Sequence, residues 1–220
     1  MPGALGARAE GLAADLSAVS SLTLNRISIY LRCLRILSER GVRRISSQEL
    51  AQRFHLSATQ IRKDLACFGE FGIRGVGYDV PTLEQRLSEL LGLDREHPLV
   101  IVGMGNLGCA FARHLEFNRR CFRVVGGVDV DPQTIGKRVG GLVVRPTRDL
   151  RRLVRETGAE IALLTVPPEA ARQSYDALIE AGVRAILNFS PIRLPQQPGV
   201  KLKNVELRSQ LEELAFFLRD

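Results

Sequence analysis

Residues 99–108, Leu-Val-Ile-Val-Gly-Met-Gly-Asn-Leu-Gly, join a short apolar run to the spacing G-x-G-x-x-G, and the reading of the whole chain turns on them. The run is short, β-branched and bounded by Pro98 and Gly103, which predicts a buried parallel strand over 99–102. Gly103 permits a tight turn out of that strand, Gly105 lets backbone approach a pyrophosphate, and Gly108 lets the next helix pack on the sheet. Met104, Asn106 and Leu107 complete the loop, and the helix it opens is expected from about Asn106 to Phe117. The next strand, 122–128, ends in Asp129, which lies 21 residues beyond Gly108, where a ribose-binding carboxylate is expected. The glycine spacing alone marks a strand-to-helix turn. In this context it predicts a dinucleotide site.

The alternation continues with a short strand at 143–144, an Arg-rich helix over 149–157, a buried strand over 161–166, a helix over 169–181 and a strand over 185–189. Pro167-Pro168 opens the second of those helices and Gly182 closes it. Five parallel strands flanked by helices make a Rossmann-like dinucleotide-binding domain over 98–204. Thr165-Val166-Pro167 and Asn188-Phe189-Ser190 fall at carboxyl ends of strands, where ligands bind in such sheets. Asp129, with Asp131 two residues on, accepts from a ribose diol and repels a 2′-phosphate, so NADH and NAD+ are favoured over their phosphorylated forms. Coenzyme A competes as a ligand, because related glycine-turn folds hold its nucleotide part. His114, in the first helix after the loop, either faces the nicotinamide side or is an ordinary surface histidine.

The net charge of +7 points to an anionic partner, and its distribution narrows the choice. Residues 24–78 hold ten Lys and Arg against four acids, an excess of six in a quarter of the chain. Leu24, Ile27, Leu31, Leu34 and Leu37 recur at helical steps up to Gly41. Ser46 with Glu49, and Ser57 with Gln60, have capping-box spacing at the starts of two short helices separated by a three-residue turn. This is a helix-turn-helix arrangement, whose second helix enters the major groove. Thr59, Gln60, Arg62 and Lys63 face outward from Ile61 and Leu65. Arg takes guanine bidentately and Gln takes adenine, so the helix has the chemistry of base readout; Ser46 and Ser47 stand at the start of the helix before it. The glycine-rich segment 69–78 predicts a hairpin presenting Arg74 and Gly75 at its tip, with Tyr78 beside them, as in a winged-helix domain. Thr82 opens one further helix, which Gly92 ends.

The fold class expected is therefore α/β: a winged helix-turn-helix domain over 21–92, the Rossmann-like domain over 98–204, and a C-terminal helix over 205–220. Leu207, Leu211, Leu214 and Leu218 stripe that last helix, which packs on its own domain or crosses to a second subunit. Residues 1–20, small and weakly patterned, are expected to be a disordered arm. An apolar content of 45% with 25% charged residues is that of a globular protein, and no apolar run reaches the about 18 residues of a membrane span, so a cytoplasmic location without a membrane partner is expected. The four cysteines have no metal-ligand spacing. Only about 30 residues follow Phe189, too few for a substrate domain. The histidines form no H-x-x-x-H pair and no G-x-S-x-G turn occurs. The nucleotide then acts as a signal and not as a co-substrate, which makes an NAD-dependent oxidoreductase with a basic helical domain, or a coenzyme-A-responsive regulator, the competing readings.

From Leu24 to the C-terminus the chain resembles the bacterial redox-sensing repressor Rex. The resemblance lies in SSQELA at 46–51, QIRKDL at 60–65, RGVGY at 74–78, GMGNLG at 103–108, VDVDP at 128–132, LTVP at 164–167 and ILNF at 186–189. It implies a homodimer on palindromic double-stranded operator DNA, NADH-driven closure that releases the operator, competition by NAD+, and a C-terminal helix exchanged between subunits. It also implies a polar switch in which Arg32 pairs with Glu206, and Glu206 turns to position 114 when NADH binds. Here Glu stands for the family's usual Asp and His114 for its usual Tyr.

Overall fold

The computed structural model describes residues 19–73, 75–114 and 121–218. Most of the expected arm, Arg74 and the expected helical residues 115–117 lie outside them. The chain divides into two compact units between Asp94 and Arg95, and each is described by itself.

The first unit contains α1 (Ser21–Glu39), β1 (Arg44–Ile45), α2 (Ser47–Phe54), α3 (Ala58–Ala66), β2 (Gly72–Ile73), β3 (Gly77–Asp79) and α4 (Val80–Leu90). Ser20 caps α1 by accepting from the Thr23 amide, and Val19 packs on the core, so structure begins before position 21. The apolar stripe of α1 is buried at Ile27, Leu31, Leu34 and Leu37, together with Tyr30 and Cys33, whereas Leu24 is exposed. These side chains pack with Ile45, Leu50, Ile61, Leu65, Leu83 and Leu87 into one core. Ser46 and Glu49 form a complete capping box. The second box is half made: Ser57 accepts from the Gln60 amide, but the Gln60 side chain turns to Asp64. The turn between α2 and α3 passes through His55 in the left-handed conformation, at φ 55°. α4 starts before Thr82, because Asp79 takes the capping position and accepts from the Thr82 amide. The wing is antiparallel with strand order β1-β3-β2. Gly77 has φ +90°, and a Cβ there would stand 2.6 Å from the Ile45 carbonyl oxygen, so only glycine brings β3 this close to β1.

The second unit contains β4 (His97–Val102), α5 (Asn106–Arg113), β5 (Phe122–Asp129), β6 (Arg138–Val139), β7 (Leu142–Val143), β8 (Arg145–Pro146), α6 (Leu150–Thr157), β9 (Ile161–Leu164), α7 (Pro168–Glu180), β10 (Ala185–Asn188), β11 (Lys201–Asn204) and α8 (Leu207–Phe216). Its main sheet is parallel, in the order β11-β10-β9-β4-β5-β8. The sheet has a sixth strand, β11, beyond the five expected. Of the strand expected at 143–144, Val143 belongs to the β6–β7 hairpin and Val144 to no strand, and the edge of the sheet is instead β8 at Arg145–Pro146. Leu99–Val102 are at most 1% exposed, as a central strand covered on both faces requires. The order reverses between β4 and β9, where crossovers leave opposite faces and open a crevice at the carboxyl ends.

Candidate functional site

Strand register builds the crevice. Val102 lies opposite both Val128 and Leu164, and Leu164 opposite Asn188, so Gly103, Asp129, Thr165 and Phe189 emerge side by side. The three glycines of the loop then differ. Gly103 has φ +94°, and a Cβ there would meet the Thr165 carbonyl oxygen at 2.7 Å; a Cβ on Gly108 would come within 2.0 Å of the Gly103 carbonyl oxygen. Gly105 has ordinary extended backbone at the N-cap of α5, with φ −69°, and nothing lies within 4 Å of its Cβ position. Side chains cap α1 to α4, whereas no side chain caps α5. The first amides of α5 therefore face open space at the positive end of the helix, an arrangement suited to phosphate.

Around the loop, Thr165 Oγ1 donates to the Gly103 carbonyl at 2.6 Å and braces the turn. Asp129 Oδ2 accepts from the Met104 amide at 2.6 Å, while Oδ1 accepts from the amides of Val130 and Asp131. One lone pair of Oδ2 remains for a ribose hydroxyl. Asp131 accepts from the Gln133 amide and Thr134 hydroxyl, which hold its carboxyl below the usual range. Asn106 and Leu107 are exposed on the first turn of α5. Val166 lies against Gly103, and Pro167 caps α7 at the surface. Phe189 packs on Phe111 with ring centroids 4.8 Å apart.

Two expected ligand side chains are corrected, and a third residue, His114, differs from expectation in its place on the chain. The Met104 side chain is buried, because Gly127 leaves room for its sulfur in the core, so Met104 offers only backbone. Asn188 is fully buried, and its amide bonds Ile192, Asn204 and Ser190, which leaves its side chain a structural tie. His114 lies outside the helix, which ends at Arg113; its backbone is extended and its side chain exposed. Ser190 gains instead: its hydroxyl is buried with no hydrogen-bond partner among the described residues.

In the first unit Thr59, Arg62 and Lys63 lie exposed on α3. Arg62 donates to Ser47 Oγ at 2.9 Å and to Thr59 Oγ1 at 3.3 Å. Ser46 is half-buried and occupied by its capping box. Gly75, at φ +81°, turns the wing tip in open space. Two expected readers are corrected. Tyr78 is in the core, only 9% exposed, because Gly72 leaves room for its ring. Gln60 is half-buried on the flank of α3, with Nε2 donating to Asp64 at 2.8 Å. Asp64, which the sequence places on a charged face, is 2% exposed and is the hub of the domain. It accepts from Arg26 Nε at 2.6 Å, Arg26 Nη2 at 2.8 Å and the Tyr30 hydroxyl at 2.9 Å besides Gln60. Its pattern of one acid among cations on a helix carries no sign of burial, so sequence reasoning misses it. Arg32 and Glu206 are exposed in their own units, and Glu206 pairs with Arg193 at 2.8 Å.

Two family models match in tandem: "Putative DNA-binding protein N-terminus" over residues 18–66 and "CoA binding domain" over 94–192. A redox-sensing transcriptional repressor Rex of Syntrophomonas wolfei is 44% identical over 200 residues, covering 91% of this chain and 95% of that protein. The Rex of Streptomyces griseus is 43% identical over 198 residues, covering 90% of this chain and 78% of that protein. This chain belongs to the Rex family of redox-sensing transcriptional repressors. Solved Rex structures agree with that placement. A complex of RSP with beta-NAD+ and operator DNA matches with a TM-score of 0.87 and 36% identity, over 91% of this chain and 92% of that one. RSP with beta-NADH matches with a TM-score of 0.82 and 34% identity, over 91% and 94%. Rex membership accounts for both a basic wing-bearing unit and a glycine loop on one chain.

Proposed function

We propose that this Rex-family chain is a homodimer that binds palindromic operator DNA through α3 and the wing, holds NADH or NAD+ in the crevice after β4, and leaves the operator when NADH binds. The observation that carries the nucleotide assignment is Gly105, whose extended backbone and empty surroundings give it no role within the protein's own packing. The cationic excess of the first unit and the exposed Thr59, Arg62 and Lys63 support the DNA assignment. Operator binding supports a cytoplasmic location; among the described residues no helix is long and apolar enough to cross a membrane. Arg32, His114 and Glu206 remain the proposed polar switch; all three are exposed, and Glu206 has to leave its exposed ion pair with Arg193 to make it. The switch works only if NADH binds the closed dimer more tightly than the DNA-competent one; reversing a 1:99 ratio needs about 10⁴-fold.

A gel shift on a palindromic operator, with NADH, NAD+ and coenzyme A titrated separately, tests this reading. NADH releases the DNA and NAD+ opposes it. An unchanged shift at saturating NADH overturns the mechanism, release by coenzyme A alone favours the other regulator, and turnover of NADH with small carbonyl compounds favours an enzyme.

Two variants sharpen the assignment. Ser190→Ala removes the buried hydroxyl best suited to the nicotinamide carboxamide, and NADH affinity measured by fluorescence titration is expected to fall about fivefold, the worth of one neutral hydrogen bond; unchanged affinity removes Ser190 from the site. Leu207, Leu211 and Leu214 on α8, and Leu218 just beyond its end, are each more than 60% exposed, a stripe that no described residue of the chain covers. A helix of 10 residues needs packing to persist, and a second subunit supplies it. Leu211→Glu with Leu214→Glu is therefore expected to sediment as a monomer; a dimer of wild-type mass would move the interface elsewhere.

A further inference from the structure

The two side chains of α3 best suited to reading bases are held in opposite ways. Asp64 accepts four hydrogen bonds, two on each oxygen, from Arg26, Tyr30 and Gln60. An ionised carboxylate only accepts, so Gln60 must turn its nitrogen inward to it, and the Gln60 amide is tied to the α1 side of the helix. At 100° per residue Thr59, Arg62 and Lys63 fall within an exposed arc of about 100°, and Arg62 lies about 160° around the helix from Gln60. There Arg62 is gripped twice, Nη1 by Ser47 Oγ at 2.9 Å from the start of α2 and Nη2 by Thr59 Oγ1 at 3.3 Å from its own helix. A guanidinium has five N–H donors, so three remain, including one on each terminal nitrogen, the fork that fits guanine O6 and N7. This fork lies at a groove of about 850 Å³ lined by Ser46, Ser47, Arg62 and the wing residues Gly75 and Val76.

Resting on the repressor reading, we propose that Ser47 is a positioning residue that presets Arg62 for a guanine of the operator half-site, and that Gln60 reads no base. The half-site is then read at guanine by α3, and adenine readout by Gln60 is absent. The advantage of the grip is entropic. A free arginine gives up rotamer freedom when it docks, whereas one already tied at two nitrogens has given it up beforehand.

The test uses the full chain and duplexes selected by it from a randomised library. The contacted guanine is the one whose replacement by 7-deazaguanine, which lacks the N7 acceptor, weakens wild type but not Arg62→Ala. Ser47→Ala is expected to lose about two- to tenfold of the discrimination between guanine and 7-deazaguanine at that position. Ser47→Thr restores it by returning the hydroxyl. Gln60→Ala keeps the wild-type base preference at every position. Full guanine discrimination in Ser47→Ala, failure of Ser47→Thr to rescue, or a relaxed adenine preference in Gln60→Ala overturns the proposal while leaving the repressor reading intact. Failure of wild type to select any duplex overturns both.

Discussion

A chain carrying Gly105→Val is expected to shift operator DNA as wild type does and to remain on it at every NADH concentration. The three loop glycines have separable roles. Gly103 and Gly108 hold the turn together: a Cβ on the first meets backbone at 2.7 Å and on the second at 2.0 Å. Gly105 has a φ of −69°, which any residue adopts, and no protein atom within 4 Å of its Cβ position. A valine there costs the fold little and fills the space through which the pyrophosphate reaches the α5 amides. Losing two charge-assisted hydrogen bonds removes about 3 kcal/mol or more, over a hundredfold in affinity. Gly108→Ala behaves otherwise, because the loop has to open before the methyl fits, an overpacking cost of about 1–3 kcal/mol in the second unit. Gel shift, NADH fluorescence titration and thermal melting on both variants separate the cases. Release of Gly105→Val by NADH would take the sensor away from this loop, and loss of both operator and nucleotide would indicate misfolding.

The contrast among these glycines shows what a sequence makes legible. G-x-G-x-x-G is a backbone requirement, and backbone requirements limit residue type position by position; the loop, its strand and the 21-residue step to Asp129 are therefore visible in the sequence. The capping box of Ser46 and Glu49 is local and equally visible. β11 is not, since Lys-Leu-Lys-Asn is an edge strand whose charged residues face water and need no apolar pattern. Side-chain destinations set by tertiary partners are the least legible. Tyr78 goes inward because Gly72 vacates the space, and Gln60 turns from its capping box because Asp64 is a stronger acceptor than a backbone amide is a donor. Asn188 looks like a ligand contact at a strand end, yet its amide is consumed within the fold, while the hydroxyl of Ser190 two residues on is left without a described partner.

Asp64→Ala is expected to destabilise the first unit selectively and to weaken operator binding while NADH still binds. The carboxylate is 2% exposed and takes all its donors from side chains, so alanine leaves the buried Tyr30 hydroxyl and the Arg26 guanidinium with nothing in its place. Removing one partner of a buried ion pair costs about 3–5 kcal/mol; Arg26 retains 34% of its side-chain exposure, so the lower end, about 3 kcal/mol, applies. That is a large share of the about 5–15 kcal/mol that stabilises a domain. Tyr30→Phe deletes one of the four donors and costs about 1.5 kcal/mol, as expected of a hydrogen bond to a charged group. The nucleotide unit is spared because its cores share no residue with the first. The same network sets an acid limit. The Arg26 guanidinium, with Gln60 and Tyr30, holds the Asp64 carboxyl below its ordinary value. Its contribution is therefore complete above the unfolded carboxyl pKa of about 3.9 and is lost as pH falls through the lower folded value. Wild type should show that acid loss in urea melts followed by circular dichroism, and Asp64→Ala should show a weaker one from an already lowered midpoint. Equal midpoints at neutral pH would mean that the four hydrogen bonds only repay the burial of the charge, and that α3 is held to α1 by Ile61 and Leu65 alone.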